Sequence, residues 1–280
     1  YRRCEQLLES KLKELAQDDA IPADAKASIL QEVGTNVARD ILDGGVGPDT
    51  IGRASNAISG VIHAVLNDAG VANHLLSMAT HERTMATHMF IVSALSVVLG
   101  REVFGTDQNM LTTLGMAGMA HDLGKLVVSR EILNKRGPLT VEEVRLIQRH
   151  PVESVWLLGD DPAATPAVRQ TILQHHERMD GRGYPLGLFG EDLLPTSCIL
   201  SIVDSFHSLV GRLTTTLLLA RNIGRRRGSI NSGKDRPDFI FLMLQQPAAS
   251  TPVALTTPPA PRTSSAPRYT TFRGAAYASG

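Results

Sequence analysis

Apolar residues recur at helical spacing along most of the chain up to Arg212, and no useful stretch alternates as a half-buried strand would. The spacing predicts helices over Glu5 to Gln17, from Pro22 to about Leu42, over Thr50 to Asn67 and over Ala72 to Thr80. Pro22 suits a first turn. Gly44-Gly45-Val46-Gly47-Pro48 is a breaker between the second and third helices. Beyond Thr80 the segments are better punctuated. Thr84 to Gly100 ends at a glycine, and Met110 to His121 follows. Thr140-Val141-Glu142-Glu143 is a capping box opening a helix to His150, which Pro151 terminates. Thr165 to Glu177 and Pro195 to Arg212 complete the set.

The fold class read from this pattern is all-α. The expected division is a helical N-terminal region over residues 1–80, a domain carrying the chemistry over 81–212, and a divergent tail over 213–280. Arg221 to Asp238 is basic and rich in Gly, Asn and Ser. Pro247 to Gly280 is a Pro/Thr/Ser/Ala tract that can bury little apolar surface, so the tail is expected to be disordered.

Composition excludes some functions without choosing one. The 280 residues are 42% hydrophobic and 20% charged, which is ordinary for a globular chain. Lys plus Arg (28) balance Asp plus Glu (28), so no nucleic-acid or membrane-surface partner is indicated. Arg225-Arg226-Arg227 reads as a solvated run. Cys4 and Cys198 form no CxxC pair, against a disulfide framework or thiolate metal site and in keeping with a reducing, cytoplasmic setting. The apolar run Met89 to Leu99 is too short for a membrane span. The chain opens on Tyr1 rather than Met and shows no signal peptide, which reads as a fragment that a sensor or receiver domain could precede.

The chemistry concentrates in the middle. Of nine histidines, five lie between His88 and His176: His88, His121, His150 and the adjacent His175-His176. Asp122 follows His121 directly, and Asp204 stands on the last helix. Adjacent helical residues point about 100° apart. His121-Asp122 and His175-His176 therefore serve one site best at helix ends, and Gly124 and Gly181 place both pairs near such ends. Imidazole and carboxylate without thiolate suit Mn, Fe or Zn. Seven such groups exceed what one ion needs, and two ions sharing a carboxylate would use them all. His63, His74 and His81 read as satisfied or exposed histidines, and Trp156 as a core residue at helical spacing from Val152 and Val155.

His121-Asp122-Leu123-Gly124-Lys125 resembles the HD signature of the HD phosphohydrolase superfamily. His175-His176-Glu177-Arg178-Met179-Asp180-Gly181-Arg182-Gly183-Tyr184-Pro185 resembles the second signature of its HD-GYP branch. The similarity covers roughly His81 to Leu209. It implies an HD-type helical domain that opens cyclic di-GMP to the linear dinucleotide with two divalent ions, Fe or Mn. The implied ligands are His88, His121, Asp122, His150, His175, His176 and Asp204, with Asp122 as the bridge. His88, His121 and Asp204 would complete one site, and His150, His175 and His176 the other. Two ions ~3.5–4 Å apart would activate a water for in-line attack and offset charge on the phosphate. Lys125 would meet a phosphate oxygen, and Gly183, Tyr184 and Pro185 would border the substrate. Glu177 and Asp180 would either orient histidines or hold their loop. Relatives holding a third ion place a Glu where this chain has Thr84, so two ions are expected. A diguanylate cyclase is an implied partner class.

Two departures stand out. The family pattern on the last helix is Asp-x-Phe-Asp-Ala-Leu, whereas this chain reads Asp204-Ser205-Phe206-His207-Ser208-Leu209. Beyond Arg212 nothing resembles the Arg-Pro-Tyr segment implicated in phosphate binding. These favour a second reading, a catalytically weak module that binds metal and signals by contact, or a hydrolase of another nucleotide.

Overall fold

The computed structural model describes residues 11–79 and 84–224, with side chains as far as residue 210. Cys4, His81, the arginine run and the expected tail beyond Gly224 lie outside the described residues. After helical residues 11–17 come α1 (Ala23–Gly44), α2 (Pro48–Asn67), α3 (Ala69–Met78), α4 (Met85–Phe104) and α5 (Gln108–Ala120). A 3-10 turn (Leu123–Val127) leads to the short α6 (Arg130–Leu133) and α7 (Val141–Ile147), then α8 (His150–Leu157), α9 (Pro166–Gln174) and α10 (Pro195–Gly224). No β-strand occurs among the described residues, only an isolated bridge between Asp180 and Phe189.

Caps explain most boundaries. Thr84 accepts a hydrogen bond from the Thr87 amide and starts α4. Asp107 accepts from Asn109 and Met110 and starts α5. Thr140 and Glu143 form the expected capping box at α7. Each cap supplies an acceptor to an amide that has no partner within its own helix.

Three of the boundaries that differ from the sequence reading do so for a plain local reason. Helix α4 runs through Gly100, the expected end, and stops at Gly105, whose positive φ of 63° favours glycine. Gly100 instead makes room for the Leu114 side chain of α5. Pro151 does not close a helix at His150. It lies in the first turn of α8, where its missing N–H costs nothing. Helix α10 continues past Arg212 to Gly224, because Leu213 to Ile223 contains neither Gly nor Pro.

One continuous apolar core joins α1–α3 to the later helices, from Leu12 through Ile58, Phe90 and Leu114 to Ile172 and Val203. Helix α4 lies within it. By length and composition α4 could cross a membrane, although the run Met89 to Leu99 alone reads as too short. Here 61% of its most apolar window is buried against other helices. Trp156, expected in the core, is 72% exposed. The inward face of α8 is His150, Pro151 and Ser154, and Trp156 falls on the opposite side.

Close backbone approach sets the position of the site. A β-carbon at Gly118 would stand 2.5 Å from Ser93 Cα, so α4 and α5 cross nearly in backbone contact. Ser93 Oγ donates to the Gly115 carbonyl at 2.7 Å across the same crossing. This contact brings His88 of α4 beside His121 at the end of α5.

Candidate metal centre

His121 occupies the C-cap of α5 and His175 the C-cap of α9. Asp122 and His176 therefore follow where each helix ends, as adjacent ligands require. His150 opens α8, His88 lies one turn into α4, and Asp204 comes from α10. Five elements thus converge on one point.

Gly124 and Ser154 hold the His121-Asp122 turn against α8. A β-carbon at Gly124 would overlap the His150 carbonyl oxygen and stand 2.7 Å from the Ser154 amide nitrogen. Ser154 Oγ donates to the His121 carbonyl and accepts from the Gly124 amide, both at 2.7 Å. Nothing in the sequence marked Ser154, which looks there like any small helix residue.

The imidazoles are oriented with their Nε2 atoms inward. Nδ1 of His121 lies 2.8 Å from the Gly118 carbonyl, that of His150 2.7 Å from Ile147, and that of His175 2.6 Å from Ile172. A carbonyl can only accept, so each Nδ1 carries the proton and each Nε2 offers a lone pair. His88 differs, its Nδ1 standing 2.7 Å from Nδ1 of His207. His176 lies against the ring of Tyr184, with centroids 4.7 Å apart.

Distances across the centre are short. His88 Nε2 lies 3.2 Å from His121 Nε2 and 3.2 Å from Asp204 Oδ1. His150 Nε2 lies 3.3 Å from His175 Nε2 and 3.3 Å from Asp122 Oδ1. Asp122 Oδ2 is 3.5 Å from both His88 and His121. Ligand atoms of His150, His175 and His176 fall within 4.8 Å of one another, as do those of His88, His121 and Asp122, and those of His121, His175 and Asp204.

Charge states follow from this crowding. Burial lowers the pKa of His121, His150 and His175, and it takes His176 down to about 4. Burial also acts to lower His88, but hydrogen bonds to Asp122 and Asp204 outweigh it and raise His88 to about 9. Burial opposes ionisation of Asp122 and Asp204 as well. The neighbouring histidines nonetheless hold both below the usual carboxylate range, with Lys125 adding to the effect at Asp122.

The donor set fits divalent metal. Neutral His150 and His175 direct two lone pairs at each other across 3.3 Å, an arrangement that a cation between them would satisfy. Asp122 Oδ1 is buried and accepts no hydrogen bond. Imidazole and carboxylate suit Fe, Mn or Zn.

The remaining expected residues lie around this centre. Lys125 Nζ is 2.5 Å from Asp122 Oδ2 and partly exposed. Tyr184 is held by its amide to the His176 carbonyl at 3.2 Å, and the Tyr184–Pro185 peptide is cis. Burial, with Asp122 and Asp204, raises the Tyr184 phenol, which stays a donor. A side chain at Gly183 would overlap Glu177 Cα, so the loop passes there only as glycine. Glu177 accepts from the amides of Leu186, Gly187 and Leu188, and Asp180 from Arg178 and the Arg182 amide. Both acids hold the loop. Thr84, where a third-ion carboxylate would stand, spends its hydroxyl on capping α4.

Residues 70–218 match the HD domain family. The chain is 32% identical over 157 residues to a cyclic di-GMP phosphodiesterase of Pseudomonas aeruginosa, covering 56% of this chain and 38% of that protein. It is 34% identical over 138 residues to the cyclic di-GMP phosphodiesterase response regulator RpfG of Xanthomonas campestris, covering 48% and 36%. It is 38% identical over 122 residues to a 3'3'-cGAMP-specific phosphodiesterase of Vibrio cholerae, covering 44% and 28%. The chain thus spans less than two-fifths of the length of each relative. Its fold is similar to that of Bd1817, a HDG"Y"P protein from Bdellovibrio bacteriovorus, with a TM-score of 0.62 at 21% identity over 77% of this chain and 72% of that one.

Proposed function

The chain belongs to the HD domain family, in its HD-GYP branch, and from that premise we propose that it hydrolyses one phosphodiester bond of cyclic di-GMP to give the linear dinucleotide. The carrying observation is the inward set of Nε2 lone pairs around Asp122, whose buried Oδ1 accepts no hydrogen bond. Two divalent ions, Fe or Mn, would be held by His88, His121 and Asp204 on one side and His150, His175 and His176 on the other, with Asp122 between them. Bound there, the ions would supply Lewis-acid activation of water and charge neutralisation at phosphorus.

The chain's own residues would do the rest. Lys125 lies beside Asp122 and is partly open to solvent, so its ammonium can turn to a phosphate oxygen. Tyr184 keeps its phenolic proton and can donate to the substrate. Glu177 fixes the loop carrying Gly183, Tyr184 and Pro185 through three backbone amides, so these groups meet substrate already positioned. Such a hydrolase would work in the cytoplasm, under an upstream sensor or receiver domain or beside a diguanylate cyclase.

The test is turnover of cyclic di-GMP by anaerobically purified protein loaded with Mn(II) or Fe(II), with 3'3'-cGAMP assayed in parallel. Linear dinucleotide from cyclic di-GMP is the expected product. Preference for 3'3'-cGAMP would reassign the substrate. Two bound ions with no turnover of either would favour the second reading, a metal-binding signalling module, which the divergence beyond Arg212 motivates.

A further inference from the structure

We propose that His207 is a positioning residue for the metal centre: it accepts the Nδ1 proton of His88 and so keeps His88 Nε2 open to a metal ion. The proposal rests on the two-ion reading above. His207 is buried on α10 at 6% exposure, one turn beyond Asp204 and on the same face. Its Nδ1 is 2.7 Å from Nδ1 of His88, and the ring centroids are 4.9 Å apart. Two Nδ1 atoms at that distance hold one proton between them.

The position of that proton decides what His88 can do. With the proton on His88 Nδ1, Nε2 can give up its own proton to an ion and offer a lone pair 3.2 Å from Asp204 Oδ1 and 3.2 Å from His121 Nε2. With it on His207 Nδ1, neutral His88 carries its own proton on Nε2 and the ligand position is closed. At His121, His150 and His175 the corresponding partner is a backbone carbonyl, which only accepts. A neutral imidazole can do either. The ion on the His88 side is therefore the weaker of the two, and His207 controls it without being a ligand.

His Nδ1 and the Oδ1 of Asp or Asn stand the same number of bonds from Cα, which supplies matched variants. Titrating chelator-treated protein with Mn(II), followed by calorimetry and elemental analysis, should resolve a tighter and a weaker ion. His207→Phe keeps a ring but loses the acceptor, and should weaken the second ion by roughly 10–100-fold while leaving the first unchanged. His207→Asn should stay near wild type, and His207→Asp should bind the second ion more tightly than wild type. A folded His207→Phe protein that binds both ions as wild type does would overturn the proposal. If that variant does not fold or loses both ions, ¹⁵N ring shifts of Zn(II)-loaded wild-type protein decide. A protonated Nδ1 on His88 and a bare Nδ1 on His207 support the proposal, and the reverse overturns it. Wild-type protein that binds no Mn(II) or Zn(II) at all sinks the two-ion reading itself, a result distinct from each of these.

Discussion

The two halves of the proposed metal centre would present the same ligand type by different means. On one side His150 and His175 have their Nδ1 protons fixed by the carbonyls of Ile147 and Ile172. Those bonds form whenever the helix ends form, so Nε2 is available as soon as the chain folds. On the other side His121 is fixed in the same way, but His88 faces another imidazole across 2.7 Å. That half depends on a contact between α4 and α10, made by residues 119 positions apart. A ligand oriented by its own backbone inherits the stability of its helix. A ligand oriented by a distant side chain inherits every tautomer that side chain can adopt.

Removing the group the halves share should have the largest effect. Asp122→Ala is expected to strip both ions and to lower turnover by on the order of 10³-fold or more, since metal contributes several kcal/mol at the transition state and each 1.36 kcal/mol is tenfold. Elemental analysis of the purified variant checks the first part, and retention of one ion would show that Asp122 does not bridge. Gly124→Ala comes next. Its methyl group would overlap the His150 carbonyl, so α8 must move away from the His121-Asp122 turn. Overpacking of this kind costs about 1–3 kcal/mol. Thermal melting should register that cost, and the displaced His150 should weaken its own ion more than the one beside His88.

pH separates the halves without mutation. In metal-free protein His88 is raised to about 9, whereas His176 is lowered to about 4 by burial. A raised histidine binds more protons folded than unfolded, so its contribution is complete below about 6.5 and is lost as pH climbs towards 9. A lowered histidine binds fewer, so stability falls as pH drops from about 6.5 towards 4. His121, His150 and His175 act in the second sense. Chelator-treated protein should melt highest near neutrality and lower on both sides. Mn(II) should abolish the alkaline decline, because His88 gives up its proton to bind. A flat alkaline limb in the metal-free protein would contradict the ion pairs of His88 with Asp122 and Asp204.

Much of this was legible in the chain itself. The helical spacing, the lack of strand alternation and the capping box at Thr140 pointed to the all-α class. The pairs His121-Asp122 and His175-His176 pointed to helix ends, and both occupy them. What was not legible came from packing. Pro151 reads as a stop in the sequence, and only the fit of α8 against Gly124 shows it in a first turn. Gly100 reads as a stop in the sequence, and only packing shows that a Leu114 side chain needs its space and that the helix runs on to Gly105. Trp156 looks like core until Ser154 claims the inward face. His207 was visible only as a departure, because its meaning lies in an atom of α4.

The smallest expected effect concerns the one ligand of the better-fixed half that lacks a backbone tie of that kind. His176 is stacked on Tyr184 with an interplanar angle of 27°. Aromatic contacts of this kind contribute about 0.5–1.5 kcal/mol beyond their buried area. Tyr184→Ala should therefore weaken the ion held by His150, His175 and His176 by roughly two- to tenfold. Tyr184→Phe keeps the ring and should leave that affinity unchanged while losing the phenolic donor. Mn(II) titration reads the first effect and substrate KM the second. Because His88 and His207 lie on the other side of Asp122, neither variant should alter the weaker ion. If Tyr184→Ala weakened both ions equally, the halves would be one coupled unit, and the contrast between backbone and side-chain positioning would lose its basis.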